Sequence, residues 1–338
     1  MRKKLRVLIL MHPDVVPPED PGKATDKEKL QWKTEYGIVK GLRKAGHEVK
    51  PLGVQHELLP IRIAVDEWKP HIVFNLLEEF HGEAVYDQNV VGYLELLRIP
   101  YSGCNPRGMV LSRGKALAKK MLTYHRILVP RFAVFQRGRR YRRARKFRYP
   151  VIVKSLVEHS SLGIAQASVV DNEEKLIERV KFVHDHVGTD AIVEEYIAGR
   201  ELYVGVLGNR RLLVLPTFEL IFRKMSENSL PIATAHVKHN PEYQKRHGID
   251  LKAVIDLSPD QVRHIVHTSK RIFRILELDG YARIDYRLAE DGKLYFLEAN
   301  PNPDLAWDEE FALAAKHCGI AYEDLLRRIL RLGLRRSP

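Results

Sequence analysis

The chain has 338 residues, 45% of them hydrophobic and 29% charged, the balance of a folded globular protein. That balance excludes a disordered chain, a collagen and a membrane bundle, and no apolar run approaches the ~20 residues needed to span a bilayer. Lys and Arg number 56 and Asp and Glu 43, a net charge of +13, which favours phosphates, nucleotides, nucleic acid or anionic lipid as partners. Two cysteines, Cys104 and Cys318, are too few for a disulfide framework or a cysteine metal site and point to a reducing compartment, the cytoplasm. The opening MRKKLRVLILMHPD mimics a signal peptide. Its apolar stretch Val7–Met11 is too short for one, and no small-residue cleavage site follows.

The first hundred residues alternate strand and helix signals. Leu5–Met11 is a short apolar run, the mark of a strand buried on both faces. Thr25–Ala45 reads as a helix with Thr25 as N-cap and Asp26 and Glu28 in its first turn, and Gly46 ends it. His47–Val54 is a second strand, a short helix closes at Glu67–Lys69, and His71–Leu77 is a third strand. Tyr86–Arg98 carries Val90, Tyr93, Leu94 and Leu97 at helical spacing. This order predicts a parallel sheet flanked by helices. Farther on come a strand at Val151–Lys154, a helix at Asn172–His186 and a strand at Ala191–Tyr196. Glu201–Leu207 and Arg211–Pro216 form a hairpin around Gly208-Asn209. A long helix spans Pro259–Leu278 and a last one Asp324–Leu332. The second half is therefore antiparallel sheet plus helices.

The most informative stretch is GYARIDYRLAEDGKLYFLEANPNPD, Gly280–Asp304. Strands at Ala282–Leu288 and Leu294–Asn300, joined by Asp291-Gly292, form an antiparallel pair. Side chains alternate along a strand. Arg283, Asp285 and Arg287 thus share one face, Glu298 and Asn300 share one face, and Asp285 can sit beside the latter two. Two carboxylates and an amide, without His or Cys, suit Mg²⁺ bound together with substrate phosphates. Arg283 is placed to neutralise a developing negative charge. The bland alternative, a surface hairpin with a wet polar face, does not account for the Asn-Pro repeat that ends the second strand.

Lys154 ends a buried strand and precedes SLVEHSSLGI, a Ser-rich loop able to offer N–H and hydroxyl groups to phosphates. Lys115 opens a helix after Ser112-Arg113-Gly114. A lysine serves phosphates as a point charge. Glu194, Glu195 and Glu201 flank the turn between two strands, where carboxylates could accept from an adenine amino group and ribose hydroxyls; spacing alone favours solvent exposure. Gly108–Ala116 is one residue too long for a Walker loop and lacks its Ser/Thr, and His56-Glu57 lacks the second His of a zinc helix, since Pro60 stands there.

These segments, with NLLEEFHGEA (Asn75–Ala84) and LLRIPYSG (Leu96–Gly103) in the same order, resemble the ATP-grasp superfamily and within it the D-alanine–D-alanine ligase-like branch. The resemblance covers roughly residues 70 to 330. It implies an α/β fold of three domains: a parallel βαβ domain over 1–108, a small central lid over 109–192 and an antiparallel catalytic sheet with helices over 193–338. It implies that Lys115 and Lys154 contact phosphates, that Glu194, Glu195 and Ile197 line an adenine pocket, and that Glu201 contacts the ribose. It implies that Asp285, Glu298 and Asn300 hold two Mg²⁺ ions, for which Mn²⁺ could substitute, and that Arg283 stabilises a tetrahedral oxyanion. Glu158, Ser160 and Ser161 fall in its phosphate loop, Lys238 on its mobile active-site loop, and His81 near its first substrate. The implied reaction is ATP-dependent ligation of a carboxylate to an amine through an acyl phosphate, on small amino acids or short peptides. A homodimer and no membrane association are the family's habit.

The substrate half-sites depart from the pattern. Where the family has a Gly-Gly and Ser-x-Glu segment after the first strand, this chain reads MHPDVVPPEDPGKA. His159 replaces a phosphate-loop glycine, and Pro303 is followed by Asp304 rather than glycine. Asp304 or Glu309 in the second half-site suits a cationic or amino-bearing substrate better than a bare carboxylate. Two other readings stand beside the ligase: a kinase-like grasp enzyme that stops at a phosphorylated substrate, and a nucleotide-gated binding protein. The second would use the run Arg137–Arg148, eight Lys/Arg with Tyr141 and Phe147 interleaved, to hold RNA or another polyanion. The bland reading of the run, a solvated helix on the outside of the central domain, is the preferred one.

Overall fold

The computed structural model describes residues 4–139, 147–157, 164–224, 230–234, 237 and 240–336. Strand β1 (Arg6–Met11) lies between β2 (Glu48–Gly53) and β3 (Ile72–Asn75), both parallel to it. Val7–Met11 are wholly buried, which is why that run is apolar without alternation. The helical stretch after β1 is two helices, α1 (Asp26–Gln31) and α2 (Lys33–Lys44), parted at Trp32. Thr25 caps the first in a reciprocal box with Glu28, accepting its N–H while Glu28 accepts from Thr25 N at 2.7 Å. The Trp32 ring is buried and packs edge-on against Tyr36, 5.4 Å between centroids. Then come α3 (Leu59–Ile63), α4 (Asp87–Leu96), α5 (Pro106–Arg113) and α6 (Lys115–Tyr124).

A four-stranded antiparallel sheet follows in the order β4 (Phe132–Phe135), β7 (Ala191–Glu195), β5 (Val151–Ser155), β6 (Val169–Val170), with α7 (Glu173–Phe182) packed on it. The large sheet is antiparallel. β8 (Arg200–Leu207) carries β9 (Leu213–Val214) and lies between β10 (Phe218–Phe222) and β12 (Tyr281–Leu288). β11 (Ile249–Ala253) and β13 (Leu294–Asn300) form its outer strands. Helices α8 (Pro241–His247), α9 (Pro259–Ile275), α10 (Glu310–His317) and α11 (Tyr322–Leu334) complete the chain.

Among the described residues, two of the three apolar cores join the N-terminal third of the chain to its second half. One joins Leu8, Leu10 and Val73 to Leu202, Val204 and Ile284. The other joins Val7, Ile9, Ile38 and Leu42 to Leu325, Leu326 and Ile329. The C-terminal helix α11 can approach α2 because Gly41 leaves room: a Cβ there would stand 2.7 Å from Leu326 Cδ1. The central sheet instead encloses its own small core of Phe135, Val151, Val153, Leu176, Val180 and Val193. The parallel and the large antiparallel sheets are thus bound into one body, while the central sheet keeps a core of its own.

Candidate active site

The first strand of the polar hairpin is buried, not wet: every residue of β12 is inaccessible or nearly so, while Glu298 and Asn300 on β13 are half-buried. Its register sets Asp285 opposite Glu298 and Arg283 opposite Asn300. Arg283 grips Asp285 with two bonds, Nε to Oδ1 at 2.7 Å and an Nη to Oδ2 at 2.8 Å. It also pairs with Glu310 at the start of α10 and stacks 4.9 Å over the Tyr203 ring. Burial works against the Arg283 charge, but the Asp285 carboxylate outweighs it and holds the guanidinium pKa above its ordinary value. On the same face Glu201 accepts from Arg287 at 2.8 Å and from the Tyr203 hydroxyl at 3.0 Å. The turn into β8 passes so close to the end of β12 that a Cβ on Gly199, at φ +140°, would lie 2.1 Å from Leu288 O.

The ladder shifts between Asp285 and Tyr286, skipping Leu297. Such a bulge leaves backbone groups unpaired. Lys119 supplies the missing donor: its Nζ donates to Leu297 O at 2.5 Å and to Phe296 O at 3.5 Å. Lys119 is fully buried, and its Nζ also stands 3.2 Å from Glu194 Oε1. Lys154 meets the other oxygen of Glu194 at 3.1 Å. Burial alone would raise the Glu194 pKa; Lys119 and Lys154 reverse that and lower it. Burial lowers the pKa of Lys119, whereas for Lys154 it is overcome by Glu194 and Glu298. One helical turn before Lys119, the buried Lys115 places its Nζ 3.8 Å from Glu298 Oε2, and burial lowers its pKa. Three lysines and two carboxylates therefore converge from α6, β5, β7 and β13.

Two residues before Lys115, Arg113 pairs with Asp87 in a buried bond and lines a cleft of about 650 Å³. The cleft runs between the N-terminal sheet and the end of β13, where Asn300, Pro301 and Asn302 form a wall. Glu35, Glu78, Glu79, Asp87 and Asp304 line it too. Burial, reinforced by Asp304, pushes the Glu35 carboxyl up to about 7. Glu78 opens onto the water of the cleft, yet enclosure by its walls, with Asp304, Glu35 and Asp87, pushes it up to about 7. Burial and Asp304 do the same to Glu309 beside the cleft.

Of the residues singled out from sequence, Lys115, Lys154, Glu194, Arg283, Asp285, Glu298 and Asn300 come together. Glu194 and Glu201 spend their carboxylates on cations of the protein, while Glu195 and Ile197 stay half-exposed. Asp304 lines the cleft and accepts from the Thr34 hydroxyl at 2.8 Å. His81 does not line it; its ring faces His56, Nδ1 to Nδ1 3.3 Å. Glu158, Ser160, Ser161, Lys238 and most of the arginine run lie outside the described residues. Sequence reasoning missed Lys119, Glu35, Glu78, Arg113 and Glu310. Lys119 was accessible in principle, four residues after Lys115 and so on the same helix face; the others carry no local signal.

A parallel sheet, a small antiparallel sheet and a large one, with buried lysines of α6 and β5 meeting the acidic hairpin of the large sheet, define an ATP-grasp protein. Residues 122–331 match the family described as D-ala D-ala ligase C-terminus. The chain is 32% identical to the uncharacterized protein y4sG of Sinorhizobium fredii, over 78% of this chain and 75% of that one. It is 30% identical to a D-alanine–D-alanine ligase of Desulfotalea psychrophila, over 82% of each. Its fold matches the D-alanine–D-alanine ligase of Bacillus anthracis complexed with ATP at a TM-score of 0.75, 22% identity and 98% of both chains. The chain belongs to the D-alanine–D-alanine ligase family of ATP-grasp proteins, ATP-dependent ligases that form a C–N bond.

Proposed function

We propose that this chain joins the carboxylate of one small amino acid or short peptide to the amine of another at the expense of ATP. The observation that carries the reading is the continuity of the site: Lys115 reaches Glu298 on the hairpin, and Arg113, two residues earlier, lines the cleft beside Asn300. A phosphate held by the lysines is therefore next to whatever the cleft holds. Lys115 and Lys154 act as point charges on the phosphates, with Glu195 and Ile197 at the adenine and Glu201 at the ribose. The family resemblance assigns Glu158, Ser160, Ser161 and Lys238, which lie outside the described residues, to closing the site over the phosphates and keeping out water.

Asp285, Glu298 and Asn300 fit Mg²⁺: their donors are all oxygen and sit opposite or diagonal across one hairpin. Among the described residues no group of three His, Cys, Asp or Glu converges, so the protein offers a partial shell of the sort that phosphates complete. When bound, the metal neutralises phosphate charge. The chain's own residues do the positioning. A substrate carboxylate oxygen attacks the γ-phosphorus, and the bond to the β-phosphate oxygen breaks to release ADP. The second substrate's amine, having lost a proton, attacks the acyl carbon; the carbon–oxygen bond to phosphate then breaks. Arg283 faces the oxyanion of that addition, and Asp285 and Glu310 hold it in place.

No described helix is long and apolar enough to cross a membrane. ATP use and free Cys104 and Cys318 favour the cytoplasm, and a homodimer follows the family's habit. The test is phosphate release from ATP and Mg²⁺ over amino acids singly and in pairs, with product masses. Release that needs two substrates and yields their condensation product, one water lighter, is expected. A phosphorylated single substrate would replace the ligase with the kinase-like reading.

A further inference from the structure

The cleft is acidic in a chain whose net charge is +13, so its carboxylates are not a by-product of an acidic surface. Its basic side chains are already engaged. Arg113 is paired with Asp87, and His12 stands 3.6 Å from both Asp14 and Glu79. Lys33, just outside, is 2.6 Å from Asp308. Among the described residues, Glu35, Glu78 and Asp304 form no ion pair with a lysine, arginine or histidine. Partial enclosure and the neighbouring Asp304 charge oppose ionisation of Glu35 and Glu78, the condition an opposite charge relieves. A metal ion is the poorer candidate for that charge, because the carboxylates are spread along the walls and no three of them converge. The volume lies in the range of pockets that hold ligands well beyond alanine in size.

We propose that the cleft takes a basic amino acid, one whose side chain carries a second ammonium or a guanidinium group, with Glu35, Glu78 and Asp304 receiving the side-chain charge. This rests on the ligase reading and names its substrate class. The α-carboxylate lies toward the Asn300 and Arg113 wall, next to the lysines. The side-chain cation reaches the carboxylates contributed by α2, by the loop after β3 and by the Asn-Pro turn. Thr34 fixes Asp304, and Glu35 follows it on the same helix, so the receiving groups come from separate elements held by the two mixed cores.

The test measures phosphate release and product mass with ATP and Mg²⁺ for lysine, ornithine, arginine and alanine, both enantiomers, singly and in all pairs. Expected is a kcat/KM for a basic substrate at least about tenfold above that for alanine, the worth of one well-placed charge contact. Glu35→Gln and Glu78→Gln should each raise KM for the basic substrate about tenfold while leaving KM for ATP unchanged. Turnover of alanine pairs at equal or better efficiency would overturn the inference and leave the ligase standing. A basic preference untouched by both Gln variants would also overturn it. Phosphate release that none of these amino acids stimulates would overturn the inference, and the ligase reading falls with it only if a wider amino-acid and dipeptide panel is silent too.

Discussion

Replacing Lys119 with Met removes one nitrogen from the centre of the molecule and nearly conserves volume, so no cavity forms. The nitrogen now stands 3.2 Å from Glu194 and 2.5 Å from Leu297 O. Breaking a buried ion pair costs about 3–5 kcal/mol, and orphaning a buried carbonyl about 1–3 kcal/mol. Two effects offset part of this: Lys154 remains 3.1 Å from Glu194, and the burial that lowers the Lys119 pKa is relieved. A net loss of roughly 2–4 kcal/mol follows. The loss has a pH signature. Glu194 ionises below its ordinary pKa in the folded state, so its contribution is present above that ordinary value and is lost as pH falls through the folded one. Urea unfolding of wild type and Lys119→Met should therefore differ most at pH 7, and the difference should narrow below pH 4.5 toward the part left by the unpaired carbonyl. The bulge that Lys119 satisfies adjoins Glu298, so KM for Mg-ATP should also rise, by about tenfold. A variant within about 1 kcal/mol of wild type at pH 7 would refute the claim that Lys119 ties the central sheet to the hairpin.

Arg283→Lys keeps a charge but loses the fork that grips Asp285; kcat should fall about 100-fold, with nucleotide binding by fluorescence titration little changed. Glu35→Gln removes a carboxyl held at about 7. The folded group's raised pKa makes ionisation costly, so the variant should be more stable than wild type at pH 8, and the gain should vanish as pH drops through 7 toward 4.5. Water in the cleft holds that gain to roughly 1–2 kcal/mol, read by urea midpoints. Gly199→Ala would set a Cβ 2.1 Å from Leu288 O at φ +140°, and a loss of about 3 kcal/mol or more is expected by thermal melting.

What the sequence determined by itself is whatever depends on near neighbours. Period-two alternation and an Asp-Gly turn set Asp285, Glu298 and Asn300 together, and the register bears this out. Thr25 announced its helix through a capping box that closes within three residues. The unbroken apolar run of β1 declared a strand covered on both faces. The tertiary structure decided what depends on distant partners. Asp87 and Arg113 lie 26 residues apart and Lys119 and Leu297 178 apart, and no local pattern marks either pair. Glu194 reads from sequence as a nucleotide contact, yet it becomes the shared anion of Lys119 and Lys154 because β5 and β7 pair antiparallel over α6. The acidic cleft is the clearest case. Its carboxylates come from α2, the loop after β3 and the turn after β13, and they share one space because the first and last thirds of the chain bury their apolar faces in common cores.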